Sequence, residues 1–178
     1  MSLILAIDPG SVESGWCVVD ADTGLMPDRF GKTRNADLLA AITEGMDTLS
    51  KWHIDHFAIE MVASYGMPVG ADVFETCVWI GRFDQAIAEV FATEPALVYR
   101  KDVKLHHCNH PRANDATIRQ ALVDRFAPGQ RNHGKGTKAE PGWFYGFHSD
   151  IWAAYALAVY AADQLREREQ RAAEPAPF

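Results

Sequence analysis

The sequence predicts an α/β fold, a mixed sheet flanked by helices, on three observations. Three strand-like apolar runs come first, later ones alternate with stretches of helical periodicity, and two of the runs end on an acid. With 178 residues and 48% hydrophobic content, the chain suits one domain with a sizeable core.

The first run, Leu3 to Ile7, enters an Asp8-Pro9-Gly10 turn and reads as a buried strand. Gly15 to Asp20 is a second strand, and the turn Asp22-Thr23-Gly24 leads into a third near residues 25–33. From Ala36 to Trp52, Leu38, Leu39, Ile42, Met46 and Leu49 recur at helical spacing. His56 to Glu60 is a fourth strand ending on an acid, and the Gly/Pro stretch 66–70 precedes a long helix over 71–92. Ala96 to Tyr99 is the fifth strand. Asn114 is placed to cap a helix through Phe126, with Ile118, Ala121 and Leu122 on one face. Residues 127–147, rich in Gly, Pro, Lys and aromatics, read as a long basic loop. Ser149 then caps a last helix whose inner stripe is Ile151, Ala154, Tyr155, Ala158, Ala162 and Leu165. The expected organisation is one domain over 1–165 and a flexible charged, Ala/Pro-rich tail over 166–178.

No apolar run approaches the roughly 18 residues of a membrane span. Neither a basic start nor a cleavage site marks a signal peptide, and Cys17, Cys77 and Cys108 form no C-x-x-C pair. A cytoplasmic protein with reduced thiols is expected. The formal net charge of −7 argues against nucleic acid as a partner, but its distribution argues for it. Between Arg100 and Lys138 stand nine Lys/Arg and three acids, with four of the seven histidines. A local basic field is what meets phosphate, whatever the total. Lys101, Lys104, Arg112, Arg131, Lys135 and Lys138 are the candidate DNA-binding residues of this segment. Trp143, Phe144 and Tyr145 follow, and aromatics among cations either stack on unpaired bases or tuck onto the core.

Two carboxylates, each ending an apolar strand, are costly to leave close together without a cation. Mg²⁺ resolves that cost with oxygen ligands, and two ions about 3.5–4 Å apart serve phosphodiester hydrolysis. Asp8 and Glu60 are the first candidates. The pattern alone leaves a second reading open, in which Asp8 opens a turn and Glu60 simply ends a strand.

Residues 3–16, LILAIDPGSVESGW, resemble the opening of the RuvC family of Holliday-junction resolvases, whose first catalytic Asp lies in I-D-P-G-S. Residues 57–62, FAIEMV, resemble the segment with the family's catalytic Glu. Residues 103–118 are similar to its Val-Lys stretch, and 153–159 to its Ala-rich last helix. The runs 60–70 and 74–83 look like the bacteriophage branch. The resemblance implies an RNase H-like (RuvC-like) mixed five-stranded sheet flanked by helices. It also implies a metal-dependent crossover junction endodeoxyribonuclease, with Asp8, Glu60, Asp150 and His148 as catalytic metal ligands. Two Mg²⁺ or Mn²⁺ ions, a four-way DNA junction as substrate and a homodimer follow from it, with Lys104 at the scissile region. Trp79, Ile80 and Phe83 are candidates for the dimer interface, or equally for the core.

Three departures stand out. The family spaces its last two ligands by three residues on one helix face, whereas His148 and Asp150 are two apart and converge only if His148 precedes the helix. Tyr155 stands where the family's Asp aligns. Asp115 replaces a basic residue, and the loop 127–147 is longer than the family's. Two other readings compete with junction resolution: a flap or replication-fork nuclease, and an inactive junction-binding module. The cluster His106, His107, Cys108 and His110 is too compact for a structural zinc site and reads as a DNA-facing polar turn. The stretch from Gly129 to Lys135 resembles a P-loop but lacks its Ser/Thr and its flanking strand and helix.

Overall fold

A computed structural model of the chain describes residues 2–44, 54–64, 66 and 68–173. Its five-stranded sheet has β1 (Leu3–Asp8) at the centre. On one side β1 pairs antiparallel with β2 (Glu13–Asp20), which pairs antiparallel with β3 (Pro27–Arg34). On the other it pairs parallel with β4 (Ile54–Met61), which carries β5 (Ala96–Tyr99) in parallel at the edge. The order β3-β2-β1-β4-β5 is the mixed sheet expected of three leading strands followed by helix–strand units.

β1 is buried on both faces, and its side chains alternate between two cores. Leu3, Leu5 and Ile7 join Ile59 and Phe57 of β4 under α1 (Asn35–Thr43) and α2 (Ala71–Phe91). Ile4 and Ala6, with Cys17 and Val19 of β2 and Ala58 of β4, face α5 (Ile151–Ala173) and α4 (Asp115–Phe126). Ala154, Ala156, Ala158 and Ala162 are fully buried, and such small side chains let α5 lie close on the sheet. No helix of the described residues is long and apolar enough to cross a membrane.

Most element expectations hold, including the Asn114 cap, whose side chain accepts from Thr117 N at 2.9 Å. Such a cap contributes about 1 kcal/mol. Met46 and Leu49 of the expected 36–52 helix lie outside the described residues. Three readings are corrected, those of the 106–110 turn, the Ser149 cap and the tail, and two left open, those of the loop aromatics and the α2 face, are decided in favour of the core. The polar turn at 106–110 is for the most part a helix, α3 (Arg100–Cys108), and its half-buried His106 and His107 turn toward α5 while His110 stays exposed. His106 Nε2 lies 2.8 Å from Asp163 Oδ2, and His107 Nε2 lies 2.8 Å from the Ala156 carbonyl, both on α5. Of the loop aromatics, Phe144 is buried against Phe147, Trp152 and Tyr155. Trp143 stacks on Phe126 and donates to the Tyr155 hydroxyl, so only Tyr145 remains exposed. On α2, Ile80 and Phe83 are core residues and Trp79 packs against them, so this face is covered. The last helix begins at Ile151, and Ser149 sits before it at φ 41°, its carbonyl accepting from Trp152 N. Finally, α5 continues through Ala173 because the Glu/Arg/Gln/Ala run favours helix and Arg171 pairs with Glu167 one turn back.

Asp163 ties this layer together. Arg125 of α4 grips both its oxygens, at 2.6 and 2.9 Å, and His106 of α3 takes the third contact. Beside it, burial pushes the His107 imidazole down to about 4 from its ordinary 6.5. Between those values the unfolded chain takes up a proton that folded His107 refuses, so this residue's contribution to stability is lost as pH falls through that window. The raised carboxyls of Asp8 and Glu60 work in the opposite sense, so the effect must be isolated by substitution. His107→Gln, which keeps a donor for the Ala156 carbonyl, should flatten the decline in urea-unfolding free energy between neutral and mildly acid pH. An unchanged decline would assign the acid sensitivity to other groups.

Candidate active site

Alternation along the strands decides where the acids point. Ala6 faces α5, so Asp8 two residues on faces α5 as well, and Ala58 gives Glu60 the same direction. The parallel register pairs Ile7 with Ile59, which leaves Asp8 and Glu60 side by side just past it. On the antiparallel side Asp8 pairs with Gly15, and Gly15 with Lys32. One row across the sheet therefore reads Lys32, Gly15, Asp8, Glu60, all directed at the layer that holds α5.

Gly15 makes room for the fourth member. A Cβ there would lie 2.6–2.8 Å from the backbone and Cβ of Asp150, so any side chain would push Asp150 away. Asp150 thus descends onto the row from the start of α5. Its carboxylate meets Lys32 Nζ at 2.9 Å, and the same ammonium lies 3.6 Å from Glu13. After β1, the turn is held by Asn35, whose side chain donates to the Gly10 carbonyl at 2.9 Å and accepts from Ser14 Oγ at 2.6 Å.

Burial raises the Asp8 carboxyl well above its usual range, and the charges of Glu60, Asp150 and Asp115 push the same way against Arg100. Glu60 is also raised by burial, opposed by Arg100 and Lys104. Arg100 stands at the β5–α3 junction, with one nitrogen 2.8 Å from Glu60 and the other 2.5 Å from Asp115. A cleft of about 210 Å³ opens beside these groups, lined by Asp8, Arg100, Asp115, Arg119, Ser149 and Asp150. Among the described residues no three acids, histidines or cysteines are already arranged to hold a metal, and Arg100 and Lys32 stand on two of the three carboxylates. The donor chemistry nevertheless fits a hard divalent ion. The three carboxylates offer only oxygen donors, and Asp8 is buried beside the charges of Glu60 and Asp150.

His148 is exposed and does not line this cleft. It precedes the helix, as convergence with Asp150 required, but the turn does not carry its ring to the acids. Tyr155 is an internal residue, its hydroxyl donating to the Leu25 carbonyl at 2.9 Å. Lys101, Lys104 and Arg112 join Arg100 and Pro111 around a second cleft of about 450 Å³. Arg131, Lys135 and Lys138 lie in the separate 127–147 segment and do not line it. Sequence reasoning missed Arg100, Lys32 and Asn35 as site residues. For Arg100 a signal existed: a cation directly after the strand that flanks the Glu60 strand. For Lys32 the only signal was a register that no local pattern specifies.

No protein-family model matches the chain, and no curated protein does. Solved structures do. Over 93% of this chain and 96% of that one, Thermus thermophilus RuvC superposes with a TM-score of 0.65 at 16% identity. T. thermophilus RuvC in complex with Holliday junction substrate gives 0.65 at 14% identity, over 94% of this chain and 96% of that one. The mixed sheet flanked by helices is thus a RuvC-like, RNase H-like fold.

The crowded carboxylates weigh on the metal-free protein. A carboxyl raised by folding stabilises at acid pH and loses that contribution as pH rises through its folded value. Asp8→Asn should therefore raise the melting midpoint at neutral pH in EDTA by on the order of 3 °C, the response of a chain this size to about 1 kcal/mol. Mg²⁺ should raise the wild-type midpoint and leave that of the variant nearly unmoved. A lower midpoint for the variant would mean that Asp8 is satisfied without metal.

Proposed function

We propose that the chain is a structure-specific endonuclease that resolves four-way DNA junctions by paired phosphodiester hydrolysis. One observation carries the reading: Asp8, Glu60 and Asp150 converge on one row of a RuvC-like sheet, beside a basic cleft. The solved relative in complex with a Holliday junction supports the choice of substrate. Residues 1–165 form the nuclease domain in this reading, and the runs 60–70 and 74–83 favour the phage-type branch.

Asp8, Glu60 and Asp150 would hold Mg²⁺ or Mn²⁺, two ions per site, and His148 would join them only if the turn before α5 rearranged. Such ions supply a water of lowered pKa and offset charge on the leaving oxygen. The protein's own groups do the rest. Lys101, Lys104 and Arg112 draw the phosphodiester backbone into their cleft, and Lys104 also acts electrostatically on Glu60. Arg131, Lys135 and Lys138 track a second stretch of backbone, and Tyr145 is the loop aromatic left free to stack on an unpaired base.

Opposed nicks in a junction call for two sites related by a two-fold axis, hence a homodimer. With Ile80 and Phe83 inside, the face of α2 left for a partner carries Phe74 and Val78, one turn apart and 62% and 55% exposed. Phe74→Glu combined with Val78→Asp should convert a dimer into a folded monomer in sedimentation and abolish paired nicking. A variant that still sediments as a dimer would move the interface elsewhere.

The activity itself is tested with labelled junction, flap and linear duplex, with and without Mg²⁺. Wild type should release paired nicked duplexes from the junction. Asp8→Asn, Glu60→Gln and Asp150→Asn should each lose more than about 100-fold, the upper end of what even an outer-shell change costs a metal site, while still binding junction in Ca²⁺. Neutralising Lys101, Lys104 and Arg112 should reduce the log–log salt slope of binding by about 0.9 per lost phosphate contact. Cutting confined to flaps would favour a fork nuclease, and tight binding without cutting in any metal would favour an inactive junction-binding module.

A further inference from the structure

Arg100 belongs to two clefts at once. It lines the acidic one with Asp8, Asp115 and Asp150, and the basic one with Lys101, Lys104, Pro111 and Arg112. Its planar guanidinium is forked between two carboxylates from different parts of the fold: Glu60 of β4 at 2.8 Å and Asp115, at the start of α4, at 2.5 Å. The two differ in setting. The Glu60 side chain is 14% exposed and sits in the row with Asp8, whereas the Asp115 side chain is 75% exposed at the rim. Arg100 therefore stands on one inner carboxylate of the acidic row, and it has a second anchor at the exposed rim.

A guanidinium and a divalent cation cannot share the inner oxygens of Glu60. Both are cationic, and the attraction that holds Arg100 there is the attraction a metal would use. Asp115 keeps the displaced arginine from leaving the site. The donors released from Glu60 then face a cleft already furnished with three other cations, where a phosphate is the fitting acceptor.

We propose that Arg100 is an exchangeable occupant of the cation site. It holds Glu60 while no metal is bound. When a divalent ion takes Glu60, it pivots on Asp115 and presents its freed edge to a DNA phosphate in the basic cleft. Metal and DNA binding then reinforce each other, because each pulls Arg100 off Glu60, and the coupling is reciprocal. This inference rests on the nuclease reading above, and it makes Arg100 a positioning and phosphate-binding residue of that site. It also gives Asp115 a role in place of the basic residue that the family resemblance led one to expect there.

The test reads binding, not turnover, on the full chain. Mn²⁺ is titrated calorimetrically into wild type, Arg100→Gln, Arg100→Lys and Lys104→Gln, and junction affinity is measured with and without Ca²⁺. Removing the competitor should tighten Mn²⁺ binding by Arg100→Gln by about tenfold, within the usual span of site-to-site coupling. Arg100→Lys, which keeps the charge without the fork, should fall between that variant and wild type, and it serves if Arg100→Gln does not fold. Ca²⁺ should tighten junction binding by wild type and much less by Arg100→Gln. Lys104→Gln removes a charge from the same neighbourhood and should change Mn²⁺ affinity less, because that residue blocks no ligand. Equal effects of Arg100→Gln and Lys104→Gln, or unchanged or weaker Mn²⁺ binding by Arg100→Gln, would overturn the exchange while leaving the nuclease reading intact. No Mn²⁺ binding by wild type would overturn both.

Discussion

Parallel pairing of β1 with β4 at the centre of the sheet is the constraint on which the site depends. Two buried strands run the same way and end together, so the acids that end them are neighbours facing the same layer. Neither can turn to solvent without a change of register, and a one-residue slip would send the whole apolar set of β1 to the wrong core. The fold thus holds two carboxylates where their charge is expensive. Lys32 and Arg100 offset part of that cost through Asp150 and Glu60, and the raised Asp8 carboxyl marks the part left over. A site arranged in this way carries a cost in stability that a bound cation would offset.

The remaining architecture brings α5 to that row. Its alanines allow close approach to the sheet, and its aromatic residues fasten the 127–147 segment ahead of it. Tyr155 bonds to the Leu25 carbonyl and receives the Trp143 indole, while Phe144 fills the space between Trp152, Phe147 and Tyr155. A buried hydroxyl left without such partners would cost about 1–3 kcal/mol. The long segment is therefore built into the core at its end, and what emerges from it is the turn that aims Asp150 over Gly15. At the far half of α5, Arg125 and His106 converge on Asp163, so α3 and α4 are tied to the same helix. Because α3 also starts at Arg100, the lock at Asp163 and the fork at Glu60 are joined through a single short helix.

Charge follows the same plan. The chain is acidic overall, yet α3 and its following turn set cations around one cleft, and the acids of the row lie next door. Several basic residues that count toward the positive segment in the sequence are already engaged: Arg125 with Asp163, Arg119 over the Trp152 ring, Arg100 between its carboxylates. The field available to a polyanion is accordingly smaller than the residue count suggests, and it rests on Lys101, Lys104 and Arg112 around the cleft and on Arg131, Lys135 and Lys138 in the 127–147 segment.

Periodicity determined much of this protein from the sequence alone. Five strands and the Asn114-capped helix could be read because period-2 and period-3.6 patterns and caps are properties of neighbouring residues. Asp8 and Glu60 could be picked out for the same reason, as acids that end apolar runs, and their place side by side was then fixed by the parallel register. What the chain does with more distant groups was settled only by tertiary structure. Helix α3 has few apolar residues to announce it, and it exists because Val103 is buried and two histidines find partners on α5. Phe144 and Trp143 stand in a loop that looks solvent-facing and turn inward because the end of α4 and α5 leave an aromatic-sized space. Lys32 reaches Asp150 across a register, and Arg100 reaches Glu60 from 40 residues away. No local window contains both partners of such a pair, and the energy that joins them appears only when the sheet is assembled.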